Sequence, residues 1–289
     1  MDRMMIIGAN GQLGTDLVNY FASRYDLICL TEKEIEVSDI QSVNEALTTN
    51  KPRIVINTAA FHKVDECERQ PVRSYEVNSL GVKYIAQCSQ QIGAKLVHIS
   101  TDYVFDGQKQ SPYTEVDIPH PLNVYGVTKL AGEYFMANEM DDYLILRVSG
   151  IYGKHKCIGK GGNFINAMLR QYRSGNEIRV VSDEILTPTS TVEICRQLDV
   201  MVKNDLKGLY HTTNEGQCSW YEYARKIFHI LKLEVEIRPV PVSFFPMTVK
   251  RPTYSVLENH RLKEYHLNIM NDWDVALEEF LSKAKVEDL

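Results

Sequence analysis

The 289-residue chain has no run of lysines or arginines, no Cys-x-x-Cys pair and no apolar stretch long enough to span a membrane. Acidic side chains outnumber basic ones, 38 to 32, so the chain carries no cationic footprint for nucleic-acid phosphates. The six cysteines are scattered and read as reduced, mostly buried thiols, which excludes a disulfide framework. The eight histidines are dispersed as well. His155-Lys156-Cys157 is one short stretch without further ligands spaced around it, so no metal site is expected. No leader peptide precedes the apolar run at Met4, and the expectation is a cytoplasmic protein with no membrane or nucleic-acid partner. With 44% apolar residues the chain can bury a large core, as one big domain or two modest ones.

What the chain does have is a glycine-spaced turn at its start. Gly8, Gly11 and Gly14 follow the apolar run Met4 to Ile7 and open a helical pattern in which Leu13, Leu17, Tyr20 and Phe21 share a face. In that context the first glycine permits a tight turn, the second lets backbone approach a pyrophosphate, and the third lets helix pack closely on strand. The phosphates then sit at the positive end of the helix. Glycines also serve ordinary turns, but here both flanks meet the structural condition.

Apolar runs alternate with helical patterns along the first half. Met4 to Ile7, Leu27 to Leu30, Ile54 to Ile56, Leu96 to Ile99 and Tyr143 to Arg147 read as strands; Gly11 to Arg24, Ile40 to Asn50, Ser74 to Ile92 and Gly126 to Glu139 read as helices. Continuous apolar strands joined by crossover helices predict an α/β protein with a Rossmann-like, doubly wound parallel sheet and a ligand crevice at the carboxyl ends of its strands. Beyond about Gly150 the pattern changes. A glycine-rich loop precedes a helix at Phe164 to Tyr172, a strand at Ile178 to Val181, and helices at Thr191 to Lys203 and Ser219 to Leu231. Residues 1–150 are therefore expected to form the nucleotide-binding domain. Residues 151–289 are expected to form mainly a smaller α/β substrate-binding lobe, with some segments free to return to the first domain.

The chemistry is expected in Ser100-Thr101-Asp102-Tyr103 and Tyr125-Gly126-Val127-Thr128-Lys129. Tyr125 and Lys129, four apart at a helix start, share a face. A phenol normally titrates near ~10, and an adjacent cation draws that value down, which suits proton transfer near neutrality. Thr101, at a strand end, offers a hydroxyl to a substrate oxygen. Met alone, the pair reads as a snorkelling helix pair and Thr101 as a strand cap; downstream of a nucleotide turn, the catalytic reading gains.

These segments, with Gly8 to Gly14, Pro121 to Glu133, Gly162-Asn163-Phe164 and Arg251-Pro252, make nearly the whole chain resemble the dTDP-4-dehydrorhamnose reductase family, in the extended branch of the short-chain dehydrogenase/reductase superfamily. The resemblance implies reduction of the 4-ketone of a nucleotide-linked deoxysugar by NADPH or NADH, with Thr101, Tyr125 and Lys129 as the catalytic trio. It implies cofactor contacts at Gly8, Asn10, Gly11, Gln12, Leu13, Lys33, Asp39, Ile40, Ala59, Ala60, Asn78, Tyr125 and Lys129. On the substrate side it implies His62, Val64, Thr101, Tyr103, Gly150, Asn163, Phe164 and Arg251. Asp39 alone also reads as a helix cap, and Asn78 as a buried polar group. Thr31-Glu32-Lys33, after the second strand, offers both a carboxylate and a cation; Lys33 tilts the expectation toward NADPH. Some members of the family are dimers, which leaves a homodimer open.

Departures from the family pattern bear on the sugar. Relatives commonly show Arg-Thr-Ser-Trp where this chain reads Arg147-Val148-Ser149-Gly150, which predicts a wider sugar pocket. Their Asp-Gln-x-Gly-x-Pro-Thr stretch is Asp183-Glu184-Ile185-Leu186-Thr187-Pro188-Thr189 here, and His62 stands where many have threonine. Tyr103 replaces the glutamate that related dehydratases place after the Thr-Asp pair, so elimination lacks its carboxylate. A different nucleotide 4-keto sugar fits as well, and so does a non-catalytic, NADP-binding regulatory subunit like the beta subunit of methionine adenosyltransferase. The intact trio favours the enzyme.

Overall fold

The computed structural model describes residues 1–154, 162–246 and 248–283. The His155-Lys156-Cys157 stretch and residues 158–161 of the glycine-rich loop lie outside them. Strands β1 (Arg3–Ile7), β2 (Asp26–Leu30), β3 (Ile54–Asn57), β4 (Lys95–Thr101) and β5 (Tyr143–Val148) are followed by β6 (Ile151–Tyr152), β7 (Ile178–Val181), β8 (Ile185–Leu186), β9 (Thr189–Ser190), β10 (Gly208–His211), β11 (Cys218–Ser219) and β12 (Ile237–Val240). Six of these form one parallel sheet in the order β10-β5-β4-β3-β1-β2. The chain runs outward from β1 in both directions, so the order reverses between β1 and β3. That gap, at the carboxyl ends, is where an open α/β sheet binds its ligand.

The central strands are buried on both faces because helices cover both. Met4 and Ile6 of β1 pack with Leu13, Leu17 and Phe21 of α1 (Gln12–Phe21). Met5 and Ile7 point the other way, onto Val43 and Leu47 of α2 (Ile40–Asn50) and, further along, Val82 and Ile85. After the short helices α3 (Val64–Arg69) and α4 (Pro71–Tyr75), a π-helical turn at Glu76–Leu80 leads into α5 (Gly81–Ile92). The widened turn pushes the Asn78 carbonyl against α6 (Val124–Glu139) at Gly132, where a Cβ would collide with it.

Past residue 150 the chain serves two cores. After α7 (Phe164–Ser174), helix α8 (Thr191–Lys203) places Ile194, Cys195, Leu198 and Met201 in the α1 layer, and β10 extends the main sheet beside β5. The sequence pattern did not reveal β10, whose four residues include an edge glycine and carry too little apolar alternation. Helices α9 (Trp220–Ile230), α10 (His260–Glu264) and α11 (Trp273–Lys283) complete the chain. Residues of α7, β7, α9 and α11, among them Ile165, Leu169, Tyr223, Ile227 and Leu277, build a separate aromatic-rich core.

Candidate active site

One cleft of about 1070 Å³ runs from the β1–α1 turn to the second core. At its floor, Gly8 adopts φ +81°, and a Cβ there would lie 2.6 Å from Thr58 Oγ1. Gly8 and Ala9 both donate to Leu30 O, and Gly11 donates to Gly8 O, which closes the turn. A Cβ on Gly14 would run into the Gly8 carbonyl oxygen, so helix and turn can meet only over glycine. Gly11 caps α1 without a side-chain hydrogen bond. The first-turn N–H groups are left facing the cleft, the arrangement that receives a phosphate.

Thr101 ends β4 and caps a 3₁₀ turn at Asp102–Val104; its hydroxyl accepts from Tyr103 N at 3.2 Å and bonds Asp102 Oδ1 at 3.0 Å. The α6 start is set by Asn123, whose side chain accepts from Gly126 N at 2.9 Å. Tyr125 thereby lines the same cleft as Thr101. Burial pushes the Tyr125 phenol above its ordinary value; the nearby Thr101 hydroxyl opposes the shift without reversing it, and the Asp102 charge adds to it. This corrects the expectation of a phenol made more acidic by Lys129. The Lys129 side chain is turned away from that task, 3.0 Å from His98 Nε2 and donating to Ile99 O at 2.6 Å. Burial draws Lys129 itself down to about 7.

On the sugar side, Tyr103 meets Tyr125 edge to face at 5.9 Å, and its phenol bonds Arg251, which is also paired with Asp65 at 3.3 Å. Burial pushes the carboxyls of Asp102 and Glu184 up, and the two line the cleft close to this pair. Phe164 leans on Trp220 at 4.6 Å and stacks on Tyr223 at 5.3 Å, an apolar platform at the far end. Asn163 caps α7 and donates to Gly153 O, while Gln12 donates to Ile151 O at 3.1 Å. The two halves of the cleft are thus tied across its middle. At Gly150, where the sequence predicts a wider sugar pocket, a Cβ would meet Leu186 Cδ1 at 2.8 Å, so the leucine that stands at the family's glycine position packs against this glycine.

The cleft brings together Gly8, Asn10, Gly11, Gln12, Leu13, Ala59, Ala60, His62, Val64, Thr101, Tyr103, Tyr125, Lys129, Gly150, Asn163, Phe164 and Arg251. Four expected residues lie elsewhere. Lys33 is exposed beyond the β2 end. Asp39 accepts from Gln41 N as the α2 cap, and Ile40, the first residue of that helix, is exposed. Asn78 is buried, its amide bound to Phe61 and Thr128, where it fixes the π turn against β3's loop and α6. In place of Lys33 the cleft wall holds Glu32, whose carboxylate accepts from Asn10 Nδ2 at 2.9 Å. Trp220 and Tyr223 went unnoticed as site residues in the sequence. They follow the nucleotide turn by over 150 positions, and no spacing rule connects them to it.

A phosphate cradle that opens directly onto a protonated phenol defines a class of protein, the dinucleotide-dependent oxidoreductases of the short-chain dehydrogenase/reductase type. Within that class the assignment is particular. The chain belongs to the family described as RmlD substrate binding domain, which it matches over residues 2–286. It is 37% identical over 284 residues to the spore coat polysaccharide biosynthesis protein SpsK of Bacillus subtilis (strain 168), covering 98% of either chain. It is 33% identical to the dTDP-4-dehydrorhamnose reductase of Aggregatibacter actinomycetemcomitans, covering 99% of this chain and 100% of that one. Among solved structures, the dTDP-4-dehydrorhamnose reductase of Bacillus anthracis str. Ames in complex with NADP is similar with a TM-score of 0.93 at 36% identity, covering 98% of this chain and 99% of that one.

Proposed function

We propose that this protein reduces the 4-keto group of a nucleotide-linked deoxysugar, with dTDP-4-dehydro-L-rhamnose going to dTDP-L-rhamnose as the leading case. The observation that carries this reading is the Tyr125 phenol, beside Thr101 and kept protonated by burial, in a cleft continuous with the glycine cradle. Three named relatives or neighbours act in this chemistry or in polysaccharide synthesis by their printed names. The cradle fits a dinucleotide because no Cβ obstructs Gly8 or Gly14 and the α1 N–H groups are uncapped. When bound, a reduced nicotinamide supplies the hydride.

The chain's own residues then do the rest. Tyr125 donates its proton to the carbonyl oxygen as charge develops there, and Thr101 orients that oxygen. Glu32, fixed by Asn10, is placed to accept from ribose hydroxyls, as an acidic residue does at the end of the second strand in this fold. The Bacillus anthracis neighbour holds NADP, so either nicotinamide cofactor is admitted. Residues from β6 onward that line the cleft, together with Arg251 and the Phe164–Trp220 platform, take the nucleotide sugar. In this reading the protein works in the cytoplasm; among the described residues no helix is long and apolar enough to cross a membrane.

The test is a spectrophotometric screen of the purified chain with NADPH and NADH across a panel of nucleotide 4-keto-6-deoxysugars. Loss of the reduced-nicotinamide absorbance with dTDP-linked members is expected. Tight cofactor binding with no loss for any sugar would leave the regulatory-subunit reading in its place.

A further inference from the structure

Among the described residues five carboxylates line the cleft, those of Glu32, Glu36, Asp65, Asp102 and Glu184. Four of them are engaged by the protein's own donors. Glu32 accepts from Asn10, Glu36 from Ser38 and Arg73, and Asp65 from Thr248 at 3.0 Å and Arg251 at 3.3 Å. Asp102, buried, takes the Thr101 hydroxyl at 3.0 Å on one oxygen and the Ser149 hydroxyl at 2.8 Å on the other. Glu184 is placed differently. Its chain neighbours are pinned: Asp183 Oδ1 accepts from Val242 N at 2.7 Å, Ile185 N donates to Thr253 O at 2.8 Å, and Ile185 O accepts from Ser255 N at 2.9 Å. Asp183 is exposed, whereas Glu184, between the two pinned residues, is half-buried and lines the cleft. Beside it stand the Trp220 indole, which has a single N–H, and the Arg251 guanidinium, which Asp65 already holds. A carboxylate has about four acceptor positions, so Glu184 keeps acceptor capacity that faces the cleft.

We propose that Glu184 is a specificity-determining residue: its carboxylate accepts a hydrogen bond from a ring hydroxyl of the sugar and selects nucleotide sugars that carry this donor over deoxygenated ones. The inference rests on the reductase reading and narrows its substrate class. On one side Glu184 lies close to Tyr103, whose ring centroid is 5.9 Å from that of Tyr125. On the other side is Trp220, whose ring centroid is 4.6 Å from that of Phe164. A ketone at Tyr125 and a nucleotide on the aromatic platform therefore lay the sugar ring across Glu184. The family's glutamine at this position both donates and accepts, so it suits either kind of partner, whereas a carboxylate only accepts. Burial pushes the Glu184 carboxyl up, as it does for an ionised group partly stripped of water. A hydroxyl that donates to it forms a charge-assisted bond; a ring without that hydroxyl leaves the carboxylate desolvated and unpaired. Selection of this kind comes mainly from rejecting the analogue that lacks the donor.

The test compares kcat/KM of the wild type, Glu184→Gln and Glu184→Leu on a dTDP-4-keto-6-deoxyhexose with both ring hydroxyls and on its counterparts lacking the oxygen at C2 or at C3. The wild type is expected to prefer the fully hydroxylated sugar over one of the two counterparts by about 10- to 100-fold. Glu184→Leu should erase most of that preference, and Glu184→Gln, which keeps an acceptor without the charge, should fall between. Cofactor affinity, read by fluorescence, should stay at the wild-type value and shows that a variant is folded; should Glu184→Leu fail to fold, Glu184→Gln decides. Calorimetric binding of the corresponding dTDP-sugar alcohols should give the same ranking without turnover. A wild type that treats all three sugars alike, or a variant that keeps the wild-type ratio, overturns the proposal and leaves the reductase reading standing. The expected ranking in binding with no sugar reduced supports Glu184 as the selector and removes the reductase reading instead.

Discussion

The chemistry of the cleft depends on two side chains whose behaviour follows from their neighbours. Tyr125 and Lys129 were legible in the sequence as a pair one helical turn apart, and Thr101 as a hydroxyl at a strand end. Their surroundings were not, because these come from other elements: His98 from the middle of β4 lies 3.0 Å from Lys129 Nζ, and Asn57 from the end of β3 lies 3.2 Å from His98. Nothing in a linear pattern distinguishes a strand histidine that fills the core from one that also touches a lysine. The same holds for the cofactor side. Lys33 and Glu32 are adjacent in sequence, but the β2 end turns the glutamate to the cleft and the lysine to solvent. In the proposed reading, replacing Glu32 with alanine removes the carboxylate that would repel a 2′-phosphate and accept from a 2′-hydroxyl. Equilibrium binding followed by fluorescence should therefore show the ratio of NADPH to NADH affinity rising severalfold, while an unchanged ratio would remove Glu32 from cofactor selection.

At the level of elements, the β1–α1 turn is the most constrained part of the fold. Gly14→Ala forces a methyl against the Gly8 carbonyl, which separates helix from strand and spoils the cradle. The expected outcome is a stability loss of about 1–3 kcal/mol by denaturant unfolding together with weakened cofactor binding. The turn and the five strands of the first half were readable because each is a continuous apolar run between helical patterns. What was not readable is reciprocity between distant elements. Gly150 after β5 predicts a wider pocket, and Leu186 of β8 packs against that glycine, a proximity that only the fold shows. Leu186→Ala should therefore alter KM and kcat across a panel of sugars differing in bulk while leaving cofactor affinity as it is.

On the scale of the whole molecule, two buried histidines of the main sheet, His98 in β4 and His211 in β10, shape the response to acid. His211 donates from Nδ1 to the carbonyls of Tyr113 and Glu258, and its Nε2 is buried without a partner among the described residues. Burial lowers His211 to about 3 and His98 well below the ordinary histidine value. The unfolded chain thus binds protons that the folded chain refuses, and acid favours unfolding. Thermal stability is expected to be flat above about pH 6.5 as far as these rings are concerned and to fall steadily as the pH drops below it. A melting temperature insensitive to pH between neutrality and about pH 4 would contradict a neutral buried pair. The central claim concerns the Tyr125 phenol in the cleft, and it is tested most directly by Tyr125→Phe assayed twice on the same preparation, for turnover of a dTDP-4-keto-6-deoxysugar and for cofactor binding. The account predicts turnover reduced by about 10²- to 10⁴-fold with cofactor affinity retained; full turnover in the variant would contradict it.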